Sequence, residues 1–180
     1  SVSPLPLTFH LECSIPCGHG PFDAAERHHL CVCGRPLLAR YDWSHISNIW
    51  TRDALASAPP SMWRYAPALP LGPNDHPVTL GEGWPPLLPA PRLGAELGLK
   101  RLLIKDEGLN PTNSFKARGM SAAVTRAHAL GATTLAVPSA GNAACALAAY
   151  AANAGIEARV FMPRDVKAPF VQECQLHGAD

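Results

Sequence analysis

Hydrophobic and polar positions alternate along residues 92–180 in a pattern that predicts strands and helices in turn. Short apolar runs are typical of strands buried in a sheet. They are separated by longer segments in which apolar residues recur three and four positions apart, as in helices. Gly131 and Gly178 follow two of these segments, and glycine often ends a helix. We predict strands at 102–104, 133–137 and 157–162, and helices at 93–99, 114–130, 143–153 and 167–177.

This order of elements predicts an α/β fold with a parallel sheet wound with helices, because parallel neighbours require helical crossovers. In such sheets, ligands bind beyond the carboxyl ends of the strands. Two polar turns, at 106–115 and 138–142, follow strands at that end. We therefore expect the two turns to converge on one crevice.

The first half of the chain has a different texture. Of the 19 prolines, 15 lie in residues 1–91, so we expect loops and turns there. We divide the chain into a Cys-rich, ribbon-like segment at 1–42, a Pro-rich helix and linker region at 43–91, and a partial α/β domain at 92–180.

Four of the six cysteines lie beside glycines near the start of the chain: Cys13, Cys17, Cys31 and Cys33. Two Cys-Gly corners followed by short strands are typical of a small zinc ribbon. The spacings are Cys-x3-Cys and Cys-x-Cys, whereas the usual knuckle is Cys-x2-Cys. Two interpretations stay open: a zinc site formed by these four residues, or a degenerate knuckle whose sulfurs pack as small hydrophobic groups.

Charge and hydropathy exclude several classes of function. The net charge is +1 without a basic block, which argues against nucleic-acid binding. No apolar run is long enough to span a bilayer, so we expect no membrane partner. Residues 1–7 lack a basic region and a continuous apolar core, so we predict no signal peptide. Clustered cysteines without a secreted disulfide pattern favour a cytoplasmic location.

Lys116 stands at the predicted start of a helix, where the dipole and loss of water both disfavour an ammonium ion. A neutral lysine amine is a nucleophile that forms Schiff bases with carbonyls. Its neighbour Phe115, which we expect to be buried, favours this interpretation over a solvated surface lysine. The turn Ser139-Ala140-Gly141-Asn142 precedes another helix, whose free N–H groups favour an anion. Asn142 either caps that helix or donates to a ligand.

These turns carry a family resemblance. Residues 110–119, Asn-Pro-Thr-Asn-Ser-Phe-Lys-Ala-Arg-Gly, resemble the lysine motif of threonine synthases, which are tryptophan-synthase-β-like, fold type II pyridoxal-phosphate enzymes. Residues 81–88 resemble the Gly-Glu-Gly-x-x-Pro-Leu segment of the same family, and residues 139–143 resemble its asparagine loop. The Cys-Gly-rich start is also similar to that of many threonine synthases.

The resemblance implies that residues 92–180 are part of a domain that binds pyridoxal phosphate, with Lys116 bound to the cofactor aldehyde. It also implies that Asn142 hydrogen-bonds the ring hydroxyl and that Phe115 packs beside the cofactor. Ser139, Gly141 and Asn142 would hold the carboxylate or phosphate of an amino-acid substrate. The implied reaction, in threonine biosynthesis, is that of a carbon–oxygen lyase that converts O-phosphohomoserine and water to threonine and phosphate.

The sequence also departs from the family pattern. Asn113 replaces a common glycine, although asparagine tolerates left-handed backbone well, and Ala143 replaces a common threonine. No residue in 1–180 can be assigned to the family's loop for the cofactor phosphate, or to the residue that faces the pyridine nitrogen. We therefore expect an incomplete fold and a chain that is inactive alone.

Other functions stay open. Another fold type II lyase or β-replacement enzyme, such as a cysteate synthase or a serine/threonine dehydratase, would share these motifs. A non-catalytic module that combines a zinc ribbon with an α/β unit is a different class. A homo-oligomer also stays open, because the sequence does not determine the oligomeric state.

Overall fold

A computed structural model describes residues 8–180 of the chain. The prediction that no signal peptide is present rests on residues 1–7, which lie outside the described residues. None of the described helices is long and apolar enough to cross a membrane.

The first part of the described chain is an antiparallel hairpin followed by short helices. Strands β1 (Phe9–Cys13) and β2 (Leu37–Tyr41) pair from Phe9 opposite Tyr41 to Cys13 opposite Leu37. The long loop between them carries the other three clustered cysteines. Next come α1 (Trp43–Ile49), α2 (Arg52–Ser57) and a 3₁₀ segment, Met62–Ala68.

Seven further helices and strands complete the α/β part, together with the short strand β3 (Leu87–Pro89), which the sequence pattern did not predict. Helix α3 begins at Pro91, where proline is favoured because the first helical N–H has no partner. The elements after β3 are α3 (Pro91–Glu96), β4 (Leu103–Lys105), α4 (Lys116–Ala129), β5 (Thr134–Pro138), α5 (Asn142–Ala154), β6 (Glu157–Phe161) and α6 (Ala168–Leu176).

The parallel arrangement is confirmed for β5 and β6, which pair from Thr134 opposite Glu157 to Pro138 opposite Phe161. The placement of β4 in the same sheet is wrong for the described residues. Strand β4 pairs antiparallel with β3, and hydrogen bonds from Asp106 N to Pro86 O and from Ala90 N to Leu102 O extend the pairing. The prolines before β3 favour extended backbone there. Because β3 and β4 are also close in sequence, their pairing closes only a short loop and costs little conformational entropy.

Helix α5 is the centre of the core. Its residues from Ala144 to Ala151 are all buried, and five of these eight are alanine, so neighbouring elements can approach closely. Helix α4, strand β6 and helix α6 pack around it. Tyr150, Leu147, Val124 and Val78 belong to one buried cluster. Val78 therefore packs with the α/β part, while the domain boundary placed at residue 92 stays a prediction.

Candidate active site

The polar turn after β4 is built from two short 3₁₀ segments, Glu107–Leu109 and Pro111–Asn113, and leads into α4 at Lys116. Thr112 and Asn113 both have left-handed backbone, with φ of 57° and 52°. The expectation that Asn113 can replace a glycine here is therefore confirmed. Thr112 is β-branched and strained in this conformation, and such strain is typical of functional turns.

Asn110 and Glu107 hold this turn in place. The buried Asn110 accepts a hydrogen bond from the Gly83 amide at 2.8 Å and donates to a Glu107 carboxylate oxygen at 2.8 Å. Arg118 donates two hydrogen bonds to Glu107, at 2.7 and 2.8 Å. This two-point contact ties the first turn of α4 back to the residues before it. Hydrogen bonding from Arg118 lowers the pKa of the Glu107 carboxyl below its ordinary value.

We predict that Glu107→Gln lowers the free energy of unfolding of the full-length protein by about 1 kcal/mol near neutral pH, because Arg118 loses its charged partner. A carboxyl whose pKa is lowered by folding stabilises the fold above its unfolded pKa of about 4.3, and this contribution disappears as pH falls through the folded pKa. Urea unfolding at several pH values measures the difference between variant and wild type. Equal stability at pH 7 would contradict the prediction.

Glu157→Gln is the matched control for Glu107. Glu157 also contacts an arginine, with 2.8 Å between its carboxylate and Arg159, but both side chains are about half exposed and lie on the same strand. Exposed pairs of this kind contribute little to stability and are screened by salt. The control should therefore have the smaller effect.

Lys116 is the first residue of α4, as predicted, and its ammonium nitrogen lies 4.9 Å from the centre of the Phe115 ring. Both side chains are exposed, Phe115 by 57%. The expectation of a buried Phe115 is therefore wrong, and the described residues do not remove water from Lys116. A cation over an aromatic face is favourable, so Phe115 orients the amine in this structure.

The second turn precedes α5, which begins at Asn142. No side chain caps this helix, and its N-cap position is Gly141. The capping interpretation of Asn142 is therefore wrong, and its exposed amide is not used for that purpose. Ser139 accepts a hydrogen bond from the Gly141 amide at 3.3 Å. A Cβ at Gly141 would only touch Phe170 at ordinary contact distance, so the described neighbours do not require glycine there.

The first turn lies beside the helix that the second turn precedes, although the strands before the two turns do not share a sheet. Residues 111–113 lie against α5, and α4 packs along α5. This packing keeps the turn before α4 against α5. A cavity of about 360 Å³ lies beside the first turn and is lined by Arg64, Trp84, Lys105 and Arg118. Lys116 and Asn142 are outside this cavity.

The Gly-Glu-Gly segment buries a carboxylate behind α4. Glu82 is fully buried and accepts hydrogen bonds from Trp63 Nε1 at 2.8 Å, the Leu80 amide at 2.9 Å, Ser121 Oγ at 2.6 Å and Tyr150 OH at 2.5 Å. Ser121 is on α4 and Tyr150 is on α5. The carboxylate therefore joins the two helices that carry the candidate site.

The backbone conformation and surroundings of Gly83 explain why the second glycine of the Gly-Glu-Gly segment is needed. Its φ is +92°, and a Cβ there would overlap the backbone nitrogen of Met62. In the sequence, the family resemblance was the only feature that pointed to a role for these residues, and the Glu82 network was not predicted. An acidic residue flanked by two glycines, just before an apolar segment, was the available signal.

The four clustered cysteines come together in space. Their sulfur atoms all lie within 4.8 Å of one another, and all four residues are free cysteines in this structure. They lie in and beside the β1–β2 hairpin, far from Lys116 in sequence. They are not part of the candidate active site.

Comparison with known proteins identifies the family. A family profile described as "Pyridoxal-phosphate dependent enzyme" matches residues 78–180, which include both turns, Lys116 and the Glu82 network. The chain belongs to this family of pyridoxal-phosphate dependent enzymes. The cofactor predicted from the resemblance is therefore confirmed at the level of the family.

Curated relatives are named threonine synthase. The protein from Methanosarcina acetivorans is 41% identical over 173 residues, which are 95% of this chain and 41% of that protein. The protein from Methanocaldococcus jannaschii is 39% identical over 153 residues, 85% of this chain and 38% of its own length. The chain thus spans about two fifths of the length of these relatives.

Solved structures agree on the fold. A pyridoxal 5'-phosphate-dependent aspartate racemase has a TM-score of 0.50 at 28% identity, over 53% of this chain and 31% of the racemase. Diaminopropionate ammonia lyase from Escherichia coli has a TM-score of 0.52 at 24% identity, over 57% of this chain and 30% of the lyase. The predicted α/β, fold type II class is confirmed.

The groups at the starts of α4 and α5 fit pyridoxal phosphate. The exposed amine of Lys116 can react with an aldehyde. The exposed amide of Asn142 can donate to an oxygen, and the start of α5 has no side-chain cap and favours a negative charge. Lys116, Phe115 and Asn142, which the resemblance predicts as cofactor ligands, therefore have side-chain chemistry that suits that role.

Proposed function

We propose that the protein acts in threonine biosynthesis and converts O-phosphohomoserine and water to threonine and phosphate. The observation that carries this proposal is the 41% identity to a threonine synthase along 95% of the chain, which includes the lysine turn. Membership of the pyridoxal-phosphate dependent family supports an enzyme that acts on a small amino acid. The proposal adds the substrate, the reaction and a cytoplasmic location.

Bound pyridoxal phosphate supplies an electron sink that stabilises negative charge next to the substrate amino group. Lys116 provides the primary amine that binds the cofactor and afterwards accepts and returns protons at the substrate carbon atoms. The exposed position of Lys116 at the start of α4 leaves its amine free to move between these roles.

Asn142 and its neighbours anchor the other groups. The Asn142 amide would donate to the ring hydroxyl of bound cofactor, and Phe115 would pack beside the ring. Ser139, Gly141 and the first amides of α5 bind the substrate carboxylate or phosphate. Support comes from the start of α5, where no side chain caps the helix and only the preceding Gly141 amide is already bonded, to Ser139.

We expect borohydride treatment of the full-length protein loaded with pyridoxal phosphate to link the cofactor covalently to Lys116. Mass spectrometry of the digested protein locates the modification, and the other lysines, such as Lys100, are the internal control. The treated protein should also lose its visible absorption band. Modification of a different lysine, or of none, would refute the assignment of Lys116.

Product analysis tests the reaction itself. The full-length enzyme should release phosphate from O-phosphohomoserine with formation of threonine, and should release little ammonia from serine or threonine. Preferential ammonia release would identify a dehydratase, and sulfite-dependent phosphate release from O-phosphoserine would identify a cysteate synthase. A protein that binds no pyridoxal phosphate would leave the non-catalytic module as the explanation.

A further inference from the structure

The four clustered cysteines have the geometry of a tetrahedral thiolate site. Cys13 and Cys33 place their sulfurs 3.5 Å apart, and so do Cys17 and Cys31. All four sulfurs lie within 4.8 Å of one another. Zinc with four thiolates at about 2.3 Å requires sulfur separations of roughly 3.8 Å, so a small adjustment would bring all four onto one ion.

The backbone compensates for the unusual spacings. Ser14 N donates to Pro36 O at 2.9 Å and Cys31 N donates to Arg35 O at 2.9 Å, which holds both cysteine pairs at the same end of the β1–β2 hairpin. Gly34, with φ of +80°, closes the short Cys31–Cys33 turn, and its amide donates to Cys31 O at 2.8 Å. The longer first spacing and the shorter second one therefore still bring the sulfurs together.

The segment around the cysteines has little else to hold it together. We call residues 9–41 the ribbon segment. Its buried residues are Phe9, Cys13, Ala24 and Cys31, of which two are members of the cluster. A segment of this size with so small a core usually needs a metal or disulfides. The sulfur pairs at 3.5 Å are unbonded, since a disulfide bond is about 2.0 Å long.

We propose that Cys13, Cys17, Cys31 and Cys33 bind one zinc ion in a closed structural site, and that this ion holds the ribbon segment against the carboxyl end of α4. Four protein ligands leave no open coordination position, so the ion has a structural role and takes no part in the reaction. The proposal is independent of the proposed function.

Two arginines connect the ribbon segment to α4. Arg27 donates from Nε and Nη2 to the Leu130 carbonyl, at 3.1 and 2.8 Å, and so satisfies an orphan carbonyl where the helix ends. Arg126 of α4 donates to the Ala24 carbonyl, lies 5.5 Å from the Phe9 ring centre, and pairs with Asp75 at 3.4 Å. Both contacts depend on the shape of the loop between β1 and β2, which three of the four clustered cysteines help to fix.

The structure thus predicts a link between the metal and one end of α4, while Glu107 and Arg118 hold the other end. Without the ion, the loop that carries Arg27 and Ala24 loses its fixed shape. The carboxyl end of α4 would then lose its cap and open more often, because helix ends without partners fray.

Metal analysis of the full-length protein, purified without chelators, should give close to one zinc per chain. Cobalt substituted for zinc should produce the intense visible bands of a tetrahedral thiolate complex. Cys33→Ser should remove most of the zinc, whereas Cys145→Ala, which changes a buried cysteine outside the cluster, should retain it. Reduced protein that contains no zinc and takes up no cobalt would overturn the proposal, and so would iron in place of zinc.

Hydrogen exchange tests the link to α4. Zinc removal should accelerate exchange at the amides of Leu130, Gly131 and Ala132 by roughly tenfold or more, because a charged hydrogen bond to the Leu130 carbonyl is lost. Arg27→Ala should produce the same local acceleration with its zinc retained. The amides of α6 are the control and should not change. Unchanged exchange at residues 130–132 after zinc removal would refute the link, even if zinc is bound.

Discussion

Replacing Lys116 with alanine in the full-length protein should lower the rate of threonine formation by roughly 10³-fold or more, because the variant lacks both the nucleophile and the proton-transferring group. The free energy of unfolding should change by less than about 0.5 kcal/mol, since the side chain is exposed and alanine favours helices. Steady-state kinetics and urea unfolding of the same preparations measure the two effects.

Two variants distinguish the chemical role of the Lys116 amine from the effect of its positive charge. Lys116→Arg retains a cation near Phe115 but cannot supply a neutral amine, so it should be as inactive as the alanine variant. Lys100→Ala removes an exposed lysine outside the turn and should retain full activity. Near wild-type turnover in Lys116→Arg would show that the positive charge matters and the amine does not.

Replacing Glu82 with alanine should have the largest effect on stability, a loss of roughly 3–5 kcal/mol, because the carboxylate is the common acceptor of a buried network. The Leu80 amide and the Trp63 indole can only donate, and Leu80 has no other acceptor among these groups. Urea unfolding of the full-length protein measures the loss. A change below 1 kcal/mol would contradict this account.

Glu82→Gln should cost less, roughly 1–2 kcal/mol, because the network can rearrange around an amide. With its oxygen towards Leu80 and Tyr150, the glutamine places its NH₂ group beside Ser121. The Ser121 hydroxyl can then accept from it and donate to the Val78 carbonyl, a contact of 2.8 Å that already exists. Tyr150→Phe, which removes one donor, should cost about 1 kcal/mol, and the exposed Glu96→Ala should be close to neutral.

The same network predicts a pH dependence. Burial alone would raise the pKa of the Glu82 carboxyl, but hydrogen bonds from Ser121, Tyr150 and backbone amides bring it below its ordinary value. Burial raises the pKa of Tyr150, so its hydroxyl stays protonated and continues to donate. Glu82 therefore stabilises the fold fully above its unfolded pKa of about 4.3, and this contribution is lost as pH falls through the folded pKa. Glu82→Gln should remove that part of the acid sensitivity.

Much of the α/β part followed from the sequence pattern because its elements have strong local signals. Gly131 and Gly178 lie just beyond the ends of α4 and α6, as predicted, and their φ angles are +71° and +77°. Strands β5 and β6 and helices α4, α5 and α6 lie within a few residues of their predicted positions. The left-handed backbone at Asn113 was also foreseen, because few residue types tolerate it.

Other features depended on contacts that periodicity does not describe. Phe115 looks like a core residue in the sequence, yet its ring is exposed beside Lys116. Glu82 looks like a loop residue, yet it is fully buried because Trp63, Ser121 and Tyr150 each supply a donor from a different element. Both outcomes depend on which distant residues arrive as neighbours, and periodicity does not report this.

The amino-acid sequence by itself determined the alternation of strands and helices, the lysine at the start of α4 and the family motif around it. These are local properties of backbone preference, spacing and residue type. Only the tertiary structure decided that β4 pairs with β3, that Glu82 joins α4 to α5, and that Cys13, Cys17, Cys31 and Cys33 meet at one point. Each of these depends on groups far apart in the chain, whose pairing is set by burial and hydrogen-bond geometry once the fold has formed.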